Sequence, residues 1–139
     1  MASTERVAAG SKPAATPLWL LGGVGAAAVT ALVVRDPHVG GSFGVCPSVL
    51  LTGLYCPGCG SLRGIHDLFT GNVSEAFGHN VLLIPGLAYV VWWWVSELAA
   101  AYGRRVPGPP TSSRFAIGVL VTFVVFAVLR NLPGSPLAP

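Results

Sequence analysis

The sequence predicts an all-α membrane protein, with three transmembrane helices and one or two short interfacial helices in a cysteine-containing outer loop. Of its 139 residues, 53% are hydrophobic and only 9% are charged, whereas a soluble domain has about 25% charged residues. Mean hydropathy is +0.68. So few charges cannot cover a water-exposed surface, which excludes a soluble globular protein. The basic residues are also too scattered to form a nucleic-acid-binding patch.

Three apolar runs are long enough to cross the bilayer, whose hydrocarbon core takes about 20 helical residues. We place the transmembrane helices at residues 17–34, 81–102 and 115–132. The remaining segments are a disordered tail at 1–16, the outer loop at 35–80, a cytosolic loop at 103–114 and an outer tail at 133–139. A cleaved signal peptide is the alternative for the first run. Its apolar character continues beyond the small residues at 26–28, which favours a retained helix.

The distribution of Lys and Arg predicts the orientation of the chain, because positive side chains are retained on the cytoplasmic side. The N-terminal tail and the 103–114 loop together carry five of them: Arg6, Lys12, Arg104, Arg105 and Arg114. The opposite side carries three: Arg35, Arg63 and Arg130. We therefore expect a cytoplasmic N-terminus and an extracytoplasmic loop at 35–80.

Small residues in the first span predict a helix-packing face. Gly22 pairs with Ala26, and Gly23 pairs with Ala27, at the small-xxx-small spacing that lets another helix approach closely. The alternative is a weakly hydrophobic helix whose Gly and Ala content has no packing role. The spacing does not tell whether a packing partner belongs to the same chain.

The 35–80 loop holds every cysteine and every histidine of the chain, so any site chemistry belongs here. Cys56, Pro57, Gly58 and Cys59 form a C-P-G-C motif, and Cys46 lies ten positions before it. We rank three interpretations. The first is a structural disulfide from Cys46 to Cys56 or Cys59, and the second is a structural zinc site that adds one histidine nitrogen to the three sulfurs. The third is thiol redox exchange. The histidine of the zinc interpretation is His66.

Apolar residues at helical spacing after the C-P-G-C motif predict a short amphipathic helix that ends at Gly71. Arg63 and Asp67 stand four residues apart on it and can pair. Binding of a lipid phosphate or a partner carboxylate is the equal alternative for Arg63. Asn72 followed by Glu75 predicts a capping box that begins a second short helix.

The segment from Cys46 to Asn80 resembles the small bacterial membrane proteins grouped as domain of unknown function 2752. Their pattern is C-P, a spacer, L-T-G-L-x-C-P-G-C-G-x-x-R, then G-[DN] and an Asn before a helix. The matching positions are Cys46, Pro47, Leu51, Thr52, Gly53, Leu54, Cys56, Pro57, Gly58, Cys59, Gly60, Arg63, Gly71, Asn72, Ala76 and Asn80. Ser61, Leu62 and Gly64 depart from the pattern and leave the cysteine core untouched.

Some actinobacterial members of this family are similar to small accessory subunits of the cytochrome bcc-aa3 respiratory supercomplex. The resemblance implies a multi-pass protein of the bacterial plasma membrane, with lipids, integral membrane subunits and those cytochrome bcc and aa3 oxidase subunits as partners. The spans contain few polar groups, namely Thr30, Ser96, Glu97 and Thr122, so no transport pathway is evident. The only reactive set for an enzyme is the cysteine segment, and loops this short do not favour a serine-histidine-acid arrangement.

We therefore expect a non-catalytic accessory subunit without a cofactor. The alternative is an outer-face thiol-redox or zinc-binding membrane protein that uses the C-P-G-C motif.

Overall fold

The computed structural model describes residues 15–44 and 46–137 and confirms the predicted all-α class. The described residues form six helices and no strand. In chain order the helices are α1 (Ala15–Val34), α2 (Pro47–Thr52), α3 (Ser61–Thr70), α4 (Val73–His79), α5 (Leu83–Ala101) and α6 (Ser113–Arg130).

Helices α1, α5 and α6 are long and apolar enough to cross a membrane, which confirms the three predicted spans. Their bounds lie within about two residues of those predicted at each end. Of the predicted tail at 1–16, residues 1–14 lie outside the described residues, and the last two belong to α1. The cytoplasmic position of the N-terminus stays a prediction.

Three short helices occupy the 35–80 loop, where the sequence predicted one or two. The additional one is α2, which begins with Pro47 in its first turn and ends at Gly53 with φ of 70°. Six residues are too few to show a helical period, so hydrophobic patterning alone does not reveal this helix. Helix α3 ends at Gly71 as predicted. The predicted capping box is wrong, because the Asn72 side chain makes no capping hydrogen bond to α4.

Helices α3 and α4 pack closely at Gly64. A Cβ atom at this position would lie 2.6 Å from Leu83 Cδ2 and 3.1 Å from the Ala76 carbonyl oxygen. Ala76 itself has no solvent exposure. Only glycine therefore fits here without a shift of the neighbouring backbone. This close contact brings the middle of α4 against the first half of α3.

At the end of the molecule away from the cysteine loop, aromatic side chains join α1 to α5. The Trp94 indole donates to the Leu18 carbonyl oxygen at 2.9 Å, and the Trp19 indole donates to the Tyr102 hydroxyl at 3.0 Å. The ring of Trp94 also lies against Gly22, where an added Cβ would be 2.8 Å from it. Gly22 thus contacts α5 of the same chain through the Trp94 ring, and its predicted role in close helix approach stays a prediction.

The rest of the small-residue face of α1 has no partner among the described residues. A Cβ at Gly23 would meet nothing within 4 Å. Ala26 and Ala27 are exposed. The packing role predicted for these three residues therefore stays a prediction.

The connection between α5 and α6 runs back along α5. Tyr89 and Trp92 donate side-chain hydrogen bonds to the carbonyl oxygens of Pro110 and Pro107, at 3.0 Å and 2.8 Å. The Tyr89 ring also stacks on Phe115 of α6, with ring centroids 5.4 Å apart. Since backbone carbonyls inside a bilayer need partners, these two side chains allow an irregular segment to lie against a spanning helix.

The end of α6 is attached to the cysteine loop through Arg130, which is 1% exposed. Its guanidinium donates to the carbonyl oxygens of His79 at 2.9 Å, Cys56 at 3.3 Å and Leu137 at 3.0 Å. The next residue, Asn131, exchanges two 2.8 Å hydrogen bonds with the backbone of Tyr55. These contacts place the third span beside the C-P-G-C motif.

Replacing Arg130 tests this attachment. We expect Arg130→Gln to lower the free energy of unfolding in detergent by about 3 kcal/mol, because several buried carbonyl groups lose a charged donor. Arg114→Gln at the opposite, exposed end of α6 is the matched control and should have little effect. Denaturant titration followed by tryptophan fluorescence measures both. Equal unfolding of the two variants would contradict the attachment.

Candidate functional site: a cluster of three cysteines

The three cysteines meet where the segment before α2 lies against the segment before α3. Cys56 Sγ is 3.5 Å from Cys46 Sγ and 3.4 Å from Cys59 Sγ. All three sulfur atoms lie within 4.8 Å of one another. These separations exceed the S–S bond length of about 2.05 Å, and the cysteines are free thiols in this structure. The predicted disulfide stays a prediction, since the cluster offers adjacent partners for it.

A tight turn forms the C-P-G-C part of this cluster. The Cys59 N–H donates to the Cys56 carbonyl oxygen at 3.1 Å. Gly60 then adopts φ of 82°, a conformation that favours glycine, and α3 begins at the next residue. The turn holds two of the sulfurs on one side of the backbone.

Asn80 supports the turn from the start of α5. Its side-chain NH₂ donates to the Pro57 carbonyl oxygen at 2.9 Å and to Ser61 Oγ at 3.0 Å. Asn80 is 3% exposed. This contact explains in physical terms why the motif pairs a C-P-G-C turn with a later asparagine.

The cysteines differ in acidity because their surroundings differ. Hydrogen bonds from the Cys59 thiol and from the Val49 backbone N–H lower the pKa of Cys46 to about 7. Burial, followed by hydrogen bonding with Cys46, raises the pKa of Cys59 to about 12. Cys46 is therefore the thiol that ionises first near neutral pH.

An open cleft of about 580 Å³ borders the sulfur cluster. Its lining includes all three cysteines, Arg63 and the glycine-containing loop at 39–44. A solute of the size of a hydrated metal ion or a thiol reagent can thus reach the sulfurs from outside.

The structure does not place His66 with the cysteines, so the ligand set expected for zinc is corrected. Helix α3 turns His66 toward α1, where its Nδ1 lies 2.8 Å from the Leu32 carbonyl oxygen. The predicted ion pair between Arg63 and Asp67 is also wrong. Asp67 is 5% exposed and faces histidines, whereas Arg63 is exposed and joins no ion pair among the described residues.

A second cluster, which the sequence interpretation missed, brings all three histidines together with two aspartates. Of the three histidines, the sequence interpretation had singled out only His66. In the structure His38 lies within 5.5 Å of both other histidine rings, measured between centroids. Hydrogen bonds to the Asp36 carboxylate, first from the His38 backbone N–H and second from the His38 side chain, lower the pKa of Asp36. The one sequence feature that pointed to this cluster is that all three histidines lie in the 35–80 loop.

The fold and the cysteine cluster together define a multi-pass membrane protein with a thiol-bearing cap at one end of its spans. Residues 46–94 match the model of a family described as Protein of unknown function (DUF2752), which confirms the resemblance seen in the sequence. This segment contains the three cysteines, α2 to α4 and the first two thirds of α5. No curated protein and no solved structure matches the chain.

The acidity difference within the cluster predicts an order of alkylation. In reduced, metal-free protein, iodoacetamide should modify Cys46 before Cys59, with half-maximal rate for Cys46 near its pKa of about 7. The reason is that thiolates are the reactive species. Peptide mass spectrometry after short exposures across a pH series measures both rates. Faster modification of Cys59 would contradict this assignment.

Proposed function

We propose that this protein binds a thiophilic metal ion, zinc or copper(I), through Cys46, Cys56 and Cys59. The observation that carries the proposal is the convergence of three sulfur atoms within 4.8 Å. Thiolates are the ligands that select these ions.

The spacing of the sulfurs suits such an ion. In tetrahedral zinc sites with Zn–S bonds of about 2.3 Å, neighbouring sulfurs lie about 3.8 Å apart. The observed 3.4 Å and 3.5 Å separations need only a small expansion. With His66 turned away, a fourth ligand for zinc would come from the cleft, whereas copper(I) needs no fourth ligand. Arg130, bonded to the Cys56 carbonyl, supplies a positive charge beside the thiolates.

Metal titration of the purified protein tests this function. We expect one zinc or copper(I) ion per chain, and a loss of affinity of at least about 100-fold in Cys56→Ser, because loss of a sulfur ligand costs more than the roughly 10- to 100-fold that loss of a group supporting a ligand does. His66→Gln is the control and should keep the thiolate-bound ion, since its Nδ1 is occupied by the Leu32 carbonyl. Parallel titrations with zinc and copper(I) distinguish the two ions.

Counting the free thiols in unreduced protein gives the outcome that would contradict the metal proposal. Alkylation of a single cysteine per chain would show that the other two form a disulfide. If the protein has such a disulfide and no bound metal, the metal proposal is rejected and the cysteines form a structural disulfide instead.

A second proposed role is that of a non-catalytic accessory subunit in a larger bacterial membrane complex. The observation that favours it is the small-residue face of α1, where Gly23 faces open space and Ala27 is exposed. Such a face allows a helix of another subunit to approach closely. The family resemblance supports the cytochrome bcc-aa3 supercomplex of the plasma membrane as the partner, with the N-terminus in the cytoplasm. The two roles are compatible.

Purification in mild detergent tests the accessory role. We expect the protein to co-purify in stoichiometric amounts with cytochrome bcc and oxidase subunits, and Ala27→Leu to reduce recovery at least about tenfold by blocking the helix approach. Gly118→Leu in α6 is the control, because a Cβ there also meets nothing within 4 Å. Quantitative mass spectrometry gives the ratios. Recovery of the wild-type protein alone would overturn this role.

A further inference from the structure

We infer that His38, Asp67 and His79 form a second metal site that takes a divalent first-row transition ion such as zinc. The three residues belong to the loop after α1, to α3 and to the last turn of α4. Their ligand atoms form a compact triangle. His79 Nε2 lies 3.1 Å from Asp67 Oδ2 and 3.3 Å from His38 Nε2, and the third side measures 3.4 Å. This site shares no residue with the cysteine cluster.

The triangle has the dimensions of one face of a tetrahedral site. Metal–nitrogen and metal–oxygen bonds of about 2.0–2.2 Å place neighbouring ligand atoms about 3.3–3.6 Å apart. The three observed separations lie within a few tenths of an ångström of that range. Two imidazole ligands exclude calcium and magnesium, which bind through oxygen. Imidazole and carboxylate together suit zinc and its neighbours in the first row.

The buried carboxylate of Asp67 is a second and independent indication of a cation. Asp67 is 5% exposed, and its Oδ2 is completely buried yet accepts no hydrogen bond among the described residues. The nearby histidine nitrogens are close to this oxygen but do not satisfy it with hydrogen-bond geometry. A buried carboxylate oxygen without a partner carries a large desolvation penalty. A cation at the centre of the triangle removes that penalty.

The tautomer of His38 points to the same centre. His38 Nδ1 lies 2.8 Å from Asp36 Oδ1. An ionised carboxylate only accepts hydrogen bonds, so Nδ1 carries the proton and neutral His38 presents the lone pair of Nε2 to Asp67 and His79. Without a cation this lone pair faces the Asp67 carboxylate. Hydrogen bonding of a ligating histidine to a second carboxylate is the usual outer support of zinc-bound imidazole.

The charges around the triangle also suit a dication. Asp36 and Asp67 together supply two negative charges, which balance the charge of a divalent ion. The guanidinium of Arg130 is engaged by backbone carbonyls, including that of His79. His66 lies beside the triangle without joining it, because its Nδ1 bonds to the Leu32 carbonyl and its Nε2 faces Asp36 Oδ1, at 3.9 Å, rather than Asp67.

The test uses the full chain in detergent after metal removal and alkylation of all three cysteines, so that sulfur ligands cannot contribute. We expect the thiol-blocked protein to bind one zinc ion per chain by isothermal titration calorimetry. Asp67→Asn, His79→Gln and His38→Gln should each weaken binding at least about 100-fold. His66→Gln is the matched control and should retain the affinity within about tenfold. Asp36→Asn should weaken binding about 10- to 100-fold, as loss of an outer carboxylate does.

Circular dichroism and gel filtration identify variants that fail to fold. The His38→Gln variant is expected to fold even if the others do not, because its side chain is 38% exposed and lies in a loop rather than in a helix. This variant therefore decides the test. Absence of zinc binding by folded, thiol-blocked protein overturns the second site, whatever the cysteines bind in untreated protein. Equal affinities of His38→Gln and His66→Gln also overturn it.

Discussion

The arrangement of both candidate sites depends on the buried guanidinium of Arg130. Among the described residues it is the most buried charged side chain, at 1% exposure, and its partners are carbonyl oxygens rather than a carboxylate. Through them it joins the end of the third span to the Cys56 turn and to the end of α4 at His79. A planar group with five donors can satisfy several carbonyls from one position, whereas lysine cannot. These hydrogen bonds thus fix the position of the cysteine turn relative to His79, one residue of the histidine cluster.

Asn80, which lies between α4 and α5, also holds the cysteine turn. Arg130 reaches the Pro57 carbonyl region from α6, while the Asn80 amide reaches the same carbonyl from the start of α5. Two spans therefore hold a single turn of the backbone. Because Cys59 and Ala76 are the buried apolar residues among the described residues of the cap, polar contacts of this kind have to supply much of its order. The C-P-G-C motif and the later asparagine are in this respect parts of one structural unit.

The sequence allowed prediction of the features that depend on composition and local spacing, and not of those that depend on tertiary contact. Hydropathy located α1, α5 and α6, and the cysteine spacing located the sulfur cluster. The Asp67 environment was not predictable, because four-residue spacing suggests a pair with Arg63 while burial of α3 against α1 and α4 turns the carboxylate inward. The grouping of His38 with His79 arises from contacts between segments 41 residues apart. No local pattern encodes such a contact.

The two clusters offer different donor atoms, sulfur in one and imidazole nitrogen with carboxylate oxygen in the other, and this difference argues against a single shared role. Three sulfur ligands beside an open cleft suit a soft ion that can exchange with the surroundings. Two imidazoles and the buried Asp67 carboxylate suit a borderline dication. The histidine cluster joins the loop after α1 to α3 and α4, so an ion there would tie the first span to the cap. The cysteine cluster joins only segments within the cap. An ion bound by the histidines would therefore act on the assembly of the spans, while one bound by the cysteines would act at the exposed surface.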